Sequence, residues 1–276
     1  MLAQADVNGY SFTDADFERV RSLIRRQAGI SLADSKRTMV YSRLQRRLRE
    51  TGHRSFTAYL DSLDKTDTAE RQRFVNALTT NLTSFFRESY HFPVLADFLK
   101  QRAASSRPVR IWCAAASTGE EPYSLAMTAI EALGERPPVE ILASDLDTDV
   151  LHQAGEGIYP ASAAQAIGNE RLRRFFMKGV GRNAGQAKVK PNLTALLRFM
   201  QINLNAPNWP FREPFDAIFC RNVMIYFDRE TKQTLLERLH GALRPGGLLF
   251  VGHSENFTEA RELFELQGKT VYRRVG

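Results

Sequence analysis

Apolar positions recur at helical spacing in the first third of the chain and as short unbroken runs further on. Thr13 is placed to cap a helix that carries Phe17, Val20 and Ile24 on one face. A second helix is expected over 36–50, with Val40, Leu44 and Leu48 stacked at i, i+4 and i+8 and Gly52 as its stop. Ser55 can cap a third, with Tyr59 and Leu63 turned inward. A fourth is predicted near 68–81, with Val75, Leu78 and Leu82 as its stripe. No strand alternation interrupts 12–83, so this part reads as a small helical domain.

From about residue 108 the period changes. Short runs beginning at Val109, Val139, Leu197, Phe215, Leu248 and Val271 read as strands. Helical patterns over 120–133, 147–155 and 229–242 fall between them. Strands alternating with helices give an α/β fold with a mostly parallel sheet covered on both faces. The stretch 174–196 breaks the alternation with Gly179, Gly181, Gly185 and Pro191 around two short runs, which predicts a small β insertion. The expected division is a helical domain over 1–90 and an α/β domain over 91–276, with the β-subdomain at 174–196 inside it. No internal repeat is visible.

Composition is that of an ordinary globular chain, 43% hydrophobic and 25% charged over 276 residues, which excludes disorder. No run approaches the roughly 20 apolar residues that span a bilayer. Residues 1–6 show neither the basic nor the apolar region of a secretion signal. Two cysteines and five scattered histidines give no disulfide framework and no zinc spacing. The expectation is a reduced, cytoplasmic, metal-free monomer. Charge adds more: residues 19–54 hold eleven basic and two acidic side chains, a surplus larger than the +7 of the whole chain. The basicity is therefore a local patch, suited to an acidic protein face or another polyanion. On a helical wheel Lys36, Arg43, Arg46 and Arg47 fall within about a third of a turn.

In an open parallel sheet, ligands sit beyond the carboxyl ends of the strands. After the first strand the chain reads Ala114-Ala-Ala-Ser-Thr-Gly-Glu-Glu, with small residues that permit close backbone approach. It lacks the dinucleotide pattern, and Glu120 and Glu121 at the helix start would repel a pyrophosphate. A carboxylate there suits an ammonium, and Asp145 at the second strand tip suits two ribose hydroxyls. A ribose with an ammonium and no phosphate indicates S-adenosyl-L-methionine. Each signal has a plain structural reading, Asp145 as a turn residue and the glutamates as helix-start charges; together they favour a cofactor.

The blocks Thr79-Thr-Asn-Leu-Thr-Ser-Phe-Phe-Arg-Glu, Ala114-Ala-Ala-Ser-Thr-Gly-Glu-Glu-Pro-Tyr-Ser, Ala143-Ser-Asp-Leu-Asp-Thr, Phe215-Asp-Ala-Ile-Phe-Cys-Arg-Asn-Val-Met-Ile-Tyr-Phe and Gly252-His-Ser-Glu-Asn-Phe resemble the CheR-type chemotaxis receptor methyltransferases. The resemblance runs from about residue 12 onward in the family's motif order. It implies an all-α N-terminal domain, a Rossmann-like S-adenosylmethionine-dependent methyltransferase domain and an inserted small antiparallel β-subdomain. The implied activity is protein-glutamate O-methylation of transmembrane chemoreceptors in their cytoplasmic domains for sensory adaptation, with S-adenosylhomocysteine as product. Its cofactor contacts fall on Asn81, Thr83, Arg87, Glu121, Asp145, Asn203, Leu204, Arg221 and Asn222, and its methyl-adjacent residues on Arg87 and Tyr226. Lys36, Arg43, Arg46 and Arg47 would dock the receptor. A receptor C-terminal peptide would add to the β-subdomain, its carboxylate met by Arg173, Arg174 or Lys188. Plainer readings remain beside these: a surface ion pair for Arg87, core aromatics for Tyr226 and Phe227, packing for Cys113 and Cys220.

A glutamate is already ionised at neutral pH and needs no base, in keeping with the absence of a His or Lys placed by any motif. Two rivals remain. A nucleic-acid methyltransferase would account for the basic patch, but the usual Asn/Asp-Pro-Pro-Tyr turn is replaced by Arg221-Asn-Val-Met-Ile-Tyr, so no nucleic acid is expected. A catalytically inactive docking protein would not need Asn81, Arg87, Asp145 and Tyr226 together.

Overall fold

A computed structural model of the chain describes residues 9–65, 68–102, 107–257 and 260–276. Residues 1–6, read above for a leader, lie outside them. Contacts divide the chain into two units, Met1–Thr80 with Tyr226–Thr231, and Asn81–Ile225 with Lys232–Gly276.

In the helical unit, α1 (Asp14–Ala28) starts at a reciprocal cap. Asp16 N donates to Thr13 Oγ1 at 3.1 Å, and Thr13 N donates to Asp16 Oδ2 at 3.0 Å. Gly29 at φ +73° and Gly52 at φ +74° end α1 and α2 (Arg37–Thr51) in the left-handed region. The helices α3 (Phe56–Lys65) and α4 (Thr68–Leu78) complete a core of Phe17, Val20, Ile24, Val40, Leu44, Tyr59 and Phe74. Leu82 departs from the expected stripe: α4 stops at Leu78, and Leu82 is 80% exposed. The helix ends early because Thr79 Oγ1 bonds back to the Asn76 carbonyl and the Arg43 guanidinium takes the Thr79 carbonyl at 2.5 Å.

The second unit opens with α5 (His91–Arg102), a helix the sequence pattern did not mark. Then follow β1 (Val109–Cys113), α6 (Glu120–Leu133), β2 (Val139–Asp145), α7 (Thr148–Glu156), β3 (Ile158–Pro160), α8 (Ala161–Gln165) and α9 (Asn169–Phe175). The rest comprises β4 (Phe176–Lys178), β5 (Gln186–Val189), α10 (Pro191–Thr194), β6 (Leu197–Gln201), β7 (Phe215–Cys220), α11 (Arg229–Ala242), β8 (Leu243–Val251), β9 (Phe264–Gly268) and β10 (Val271–Arg274). The main sheet runs β6-β2-β1-β7-β8-β10-β9; β10 is antiparallel to both its neighbours and the other pairings are parallel. The central strands read as apolar runs because they are buried, β7 along its whole length, whereas the edge strands β6 and β9 are largely uncovered. Ile111, Cys113, Ile141, Phe219 and Phe250 share one buried cluster with Tyr123, Met127 and Ile130 of α6 and Leu95 and Leu99 of α5.

A second sheet has the antiparallel order β3-β5-β4. Its first strand comes from Ile158–Pro160, upstream of the 174–196 stretch in which the sequence places the insertion. Three residues are too few to show a period, which is why β3 was silent.

Candidate active site

Chain order reverses between β1 and β7: β1 pairs with β2 on one side and β7 on the other, both in parallel. A cleft beyond the carboxyl ends opens at such a point. Asp145 closes β2 there. Its Oδ2 accepts from Ser117 N at 2.8 Å and its Oδ1 from Asp147 N at 3.0 Å, so one carboxylate ties the loops after β1 and β2 together. Burial pushes the Asp145 carboxyl up, against those amide bonds. Asn81 is fastened to both loops: its Nδ2 donates to Asp147 Oδ2 at 2.8 Å, and its carbonyl accepts from Ser117 Oγ at 2.9 Å. Gly119, at φ +100°, lets the β1 loop pass close to β3, since a Cβ there would lie 2.5 Å from the Tyr159 hydroxyl.

Beside this lies a buried charge cluster. Arg221, at the end of β7, has a side chain only 1% exposed and sits between two carboxylates. Its Nη1 donates to Glu121 Oε2 at 2.5 Å; its Nη2 lies 3.1 Å from Glu88 Oε2 and donates to the Arg87 carbonyl at 2.5 Å. Burial opposes the Arg221 charge, but Glu121 and Glu88 outweigh it and leave its pKa raised. Burial likewise works to raise Glu88. The His253 amide, the Asn222 side chain and Arg221 overcome it and hold the carboxyl below its ordinary value. The other oxygen of Glu121 accepts only the Cys113 thiol, at 3.3 Å, a weak donor whose pKa burial drives well up. Counted formally, the cluster sets two glutamates against one guanidinium and so holds one acid more than base.

Asn222 stands at φ +55°, its N–H donating to Glu255 Oε2 at 2.8 Å and its Nδ2 to Glu88 Oε1 at 3.1 Å. Glu255, 4% exposed, also accepts from Met224 N, Ile225 N and Gly252 N. Burial raises its carboxyl against those amides. Among the described residues six non-glycines have positive φ, and Phe86, Glu88, Ser117 and Asn222 all belong to this region. Such backbone persists where its surroundings over-determine it, and it gathers at functional sites.

The sequence-derived residues distribute unevenly. The bonds above gather some of them in two groups, Asn81 with Asp145 through Ser117 and Asp147, and Arg87, Glu121, Arg221 and Asn222 around Glu88. Asn203 and Leu204 follow β6; Asn203 Oδ1 accepts from Asn205 N at 2.9 Å, and the Leu204 carbonyl from Arg238 Nη1 at 2.9 Å. Thr83 is half-buried in the non-helical stretch before α5. Arg87 donates from Nη1 to the Leu82 carbonyl at 2.8 Å. Tyr226 groups with the helical unit, where its carbonyl accepts from Ser31 N at 2.8 Å. Of the four docking cations, Lys36 and Arg46 are exposed. Arg43 and Arg47 are engaged within their unit, Arg43 on the end of α4 and Arg47 on Glu70 at 2.7 and 3.1 Å. Glu88 and Glu255, which organise the region, were missed. For Glu88 the available signal was an acid next to Arg87 in a stretch with no helical or strand period; Glu255, between Ser254 and Asn256, offered none.

The residues fit S-adenosylmethionine. The Asp145 carboxylate takes backbone bonds from Ser117, Asp147 and Leu146 and keeps acceptor capacity for a hydroxyl. The extra acid near Glu121 suits a cationic ligand group, and Asn222 presents its Oδ1 as an acceptor. Among the described residues no group of acids, cysteines or histidines could hold a metal ion, and no helix is long and apolar enough to cross a membrane.

A mostly parallel sheet with Glu121 and Asp145 at its switch point is the arrangement of a Rossmann-like S-adenosylmethionine-dependent methyltransferase. Residues 81–273 match the family model described as CheR methyltransferase, SAM binding domain, and residues 15–79 match CheR methyltransferase, all-alpha domain. The chain belongs to the CheR methyltransferase family. It is 53% identical over 264 residues to chemotaxis protein methyltransferase 2 of Pseudomonas aeruginosa, covering 95% of this chain and 94% of that protein. To the chemotaxis protein methyltransferase of Escherichia coli it is 49% identical over 264 residues, covering 95% and 91%. The family, the fold class and the cofactor class expected from the motifs are thus borne out.

Proposed function

We propose that the chain methylates glutamate side chains in the cytoplasmic domains of chemoreceptors, producing γ-carboxyl methyl esters and S-adenosylhomocysteine. The Glu88–Arg221–Glu121 cluster carries this reading: a buried region with two glutamates against one arginine favours a cationic cofactor. The names of the relatives supply chemotaxis. Bound S-adenosylmethionine supplies a methyl group on a sulfonium. The chain's task is then to hold a carboxylate in line and exclude water, for which orientation is worth about 7–11 kcal/mol. Arg87 is the group we assign to the incoming carboxylate. Its guanidinium rests on a single carbonyl at 2.8 Å and is released without breaking an ion pair. Its pairing must stay partial, since a tight ground-state contact would slow transfer. Tyr226 is assigned beside the methyl, on the resemblance alone.

Receptor docking is assigned to Lys36 and Arg46, the solvent-facing members of the basic face, with Arg43 and Arg47 holding that face in shape. The small sheet offers β4 as an edge strand, with Met177 43% and Val180 75% exposed beside it. We assign that edge to a receptor C-terminal peptide, with Arg173 and Lys188 as the exposed cations for its carboxylate, because Arg174 already pairs with Glu135 at 2.7 Å. The deciding experiment incubates the protein with methyl-labelled cofactor and receptor-bearing membranes. Label in the receptor that base releases as methanol supports a carboxyl ester; base-stable label, or label in nucleic acid, refutes it.

A further inference from the structure

We infer that Glu88 is the positioning residue for Arg87 and for the ligand-facing acceptor of Asn222, an inference that rests on the cofactor reading above. Arg87 lies between Phe86 and Glu88, both at φ +52°, a conformation uncommon for residues other than glycine. Something must hold the segment, and the bonds of Glu88 do. Its Oε1 accepts from Asn222 Nδ2 at 3.1 Å and from His253 N at 3.1 Å. Its Oε2 lies 3.1 Å from Arg221 Nη2 and accepts from the Tyr90 hydroxyl at 3.3 Å. One carboxylate thus joins the 81–90 stretch to the tips of β7 and β8. The same Arg221 nitrogen donates to the Arg87 carbonyl, so the peptide that carries Arg87 is clamped while its guanidinium stays half-exposed.

The ionised carboxylate also sets the Asn222 amide. It offers only acceptors, so the Asn222 NH2 must face it and Oδ1 must point away. The group that Asn222 turns away from Glu88 is therefore its Oδ1, an acceptor in keeping with an ammonium.

Two variants separate positioning from general stability. Glu88→Gln keeps an acceptor for Asn222 and His253, but turns a donor toward Arg221 and loosens the clamp on Arg87. Glu88→Ala loses everything. In the full chain, S-adenosylhomocysteine affinity by calorimetry, kcat and KM on receptor membranes, and the unfolding midpoint are measured together. Glu88→Ala is expected to weaken binding about tenfold and lower kcat more, with receptor KM within about twofold. Glu88→Gln should recover binding to within about threefold of wild type while kcat stays depressed. Affinity and kcat unchanged in both folded variants overturn the inference. So do losses that follow the folded fraction alone, or a Glu88→Gln variant that recovers kcat in step with binding. If Glu88→Ala does not fold, the split in Glu88→Gln decides. Wild-type protein that binds no S-adenosylhomocysteine refutes the cofactor reading instead.

Discussion

Arg47 in the helical unit and Arg221 in the sheet unit are both largely buried guanidiniums gripped by carboxylates, with side chains 12% and 1% exposed. Arg47 meets Glu70 through two parallel bonds, and its third arm reaches Glu50, which also takes Arg46. Glu70 is completed by the Tyr59 hydroxyl at 2.9 Å. Arg73 Nη1 lies 3.8 Å from Glu70 Oε2 as well, so three arginines face two glutamates and neither carboxylate lacks a cation. Arg221 instead bridges carboxylates from separate segments, shares a nitrogen with a carbonyl, and leaves its buried Nε without a hydrogen-bond partner. A pair that closes on itself serves stability. A cluster with one acid over is the one we propose faces a ligand, and its cost is carried by the packing around it.

The largest expected effect tests that difference. Arg221→Ala strands Glu88 and Glu121 as buried like charges and should destabilise the sheet unit by about 3–5 kcal/mol. It should also abolish S-adenosylhomocysteine binding; denaturant unfolding and calorimetry measure both. If its stability loss is no greater than that of Arg47→Ala, the contrast between the two arginines fails.

Next comes His91, fully buried, with Nε2 bonded to the Lys269 carbonyl at 3.0 Å and Nδ1 lying 4.0 Å from Glu88. Burial first, then the Arg221 charge, lower its pKa from 6.5 to about 4. The folded chain therefore resists a proton that the unfolded chain accepts. This contribution is fully present above pH 6.5 and is lost as pH falls toward 4, amounting to about 3 kcal/mol. Unfolding free energy measured from pH 7 to pH 4 should show that slope in wild type and lose it in His91→Gln; equal slopes would remove His91 as the source.

Asp145→Ala should weaken cofactor binding by about 1–3 kcal/mol in a folded protein, read by calorimetry. Unchanged affinity would dismiss Asp145 as a ligand. The smallest pair of effects sharpens the helical side. Arg47→Ala should cost about 1–2 kcal/mol of stability without touching cofactor affinity. Lys36→Glu with Arg46→Glu should leave stability within about 0.5 kcal/mol while raising receptor KM, more so at low salt. Equal KM for wild type and the reversed double variant would move docking off this face.

Helix faces and sheet strands were legible because burial imposes a period: Val40, Leu44 and Leu48 all point inward, and β1, β2, β6 and β7 are short apolar runs. Leu82 misled because periodicity knows nothing of the Arg43 guanidinium waiting at the end of α4. The acidic strand tips, Glu121 and Asp145, were legible from residue type and position. Glu88 and Glu255 were not, since their partners are backbone amides and side chains thirty or more residues away, except for Gly252, Tyr90 and His91. The same distance hid the split among the basic residues: Arg47 looks like Arg46 until Glu70 folds against it.

The composite origin of the small sheet limits how this family can be rebuilt. Cutting a chimera at 174 and 196 would discard β4 and β5 and leave β3 without a partner. It would also remove Val189, against which Gly157 packs so closely that a Cβ there would lie 2.3 Å from Val189 Cγ2. The Tyr159 hydroxyl in β3 donates to the Thr118 carbonyl at 2.8 Å, directly beside Gly119. A transplantable cassette therefore runs from Gly157 through Val189. It must bring Tyr159 with it, or the graft will disturb the cofactor loop it was meant to leave alone.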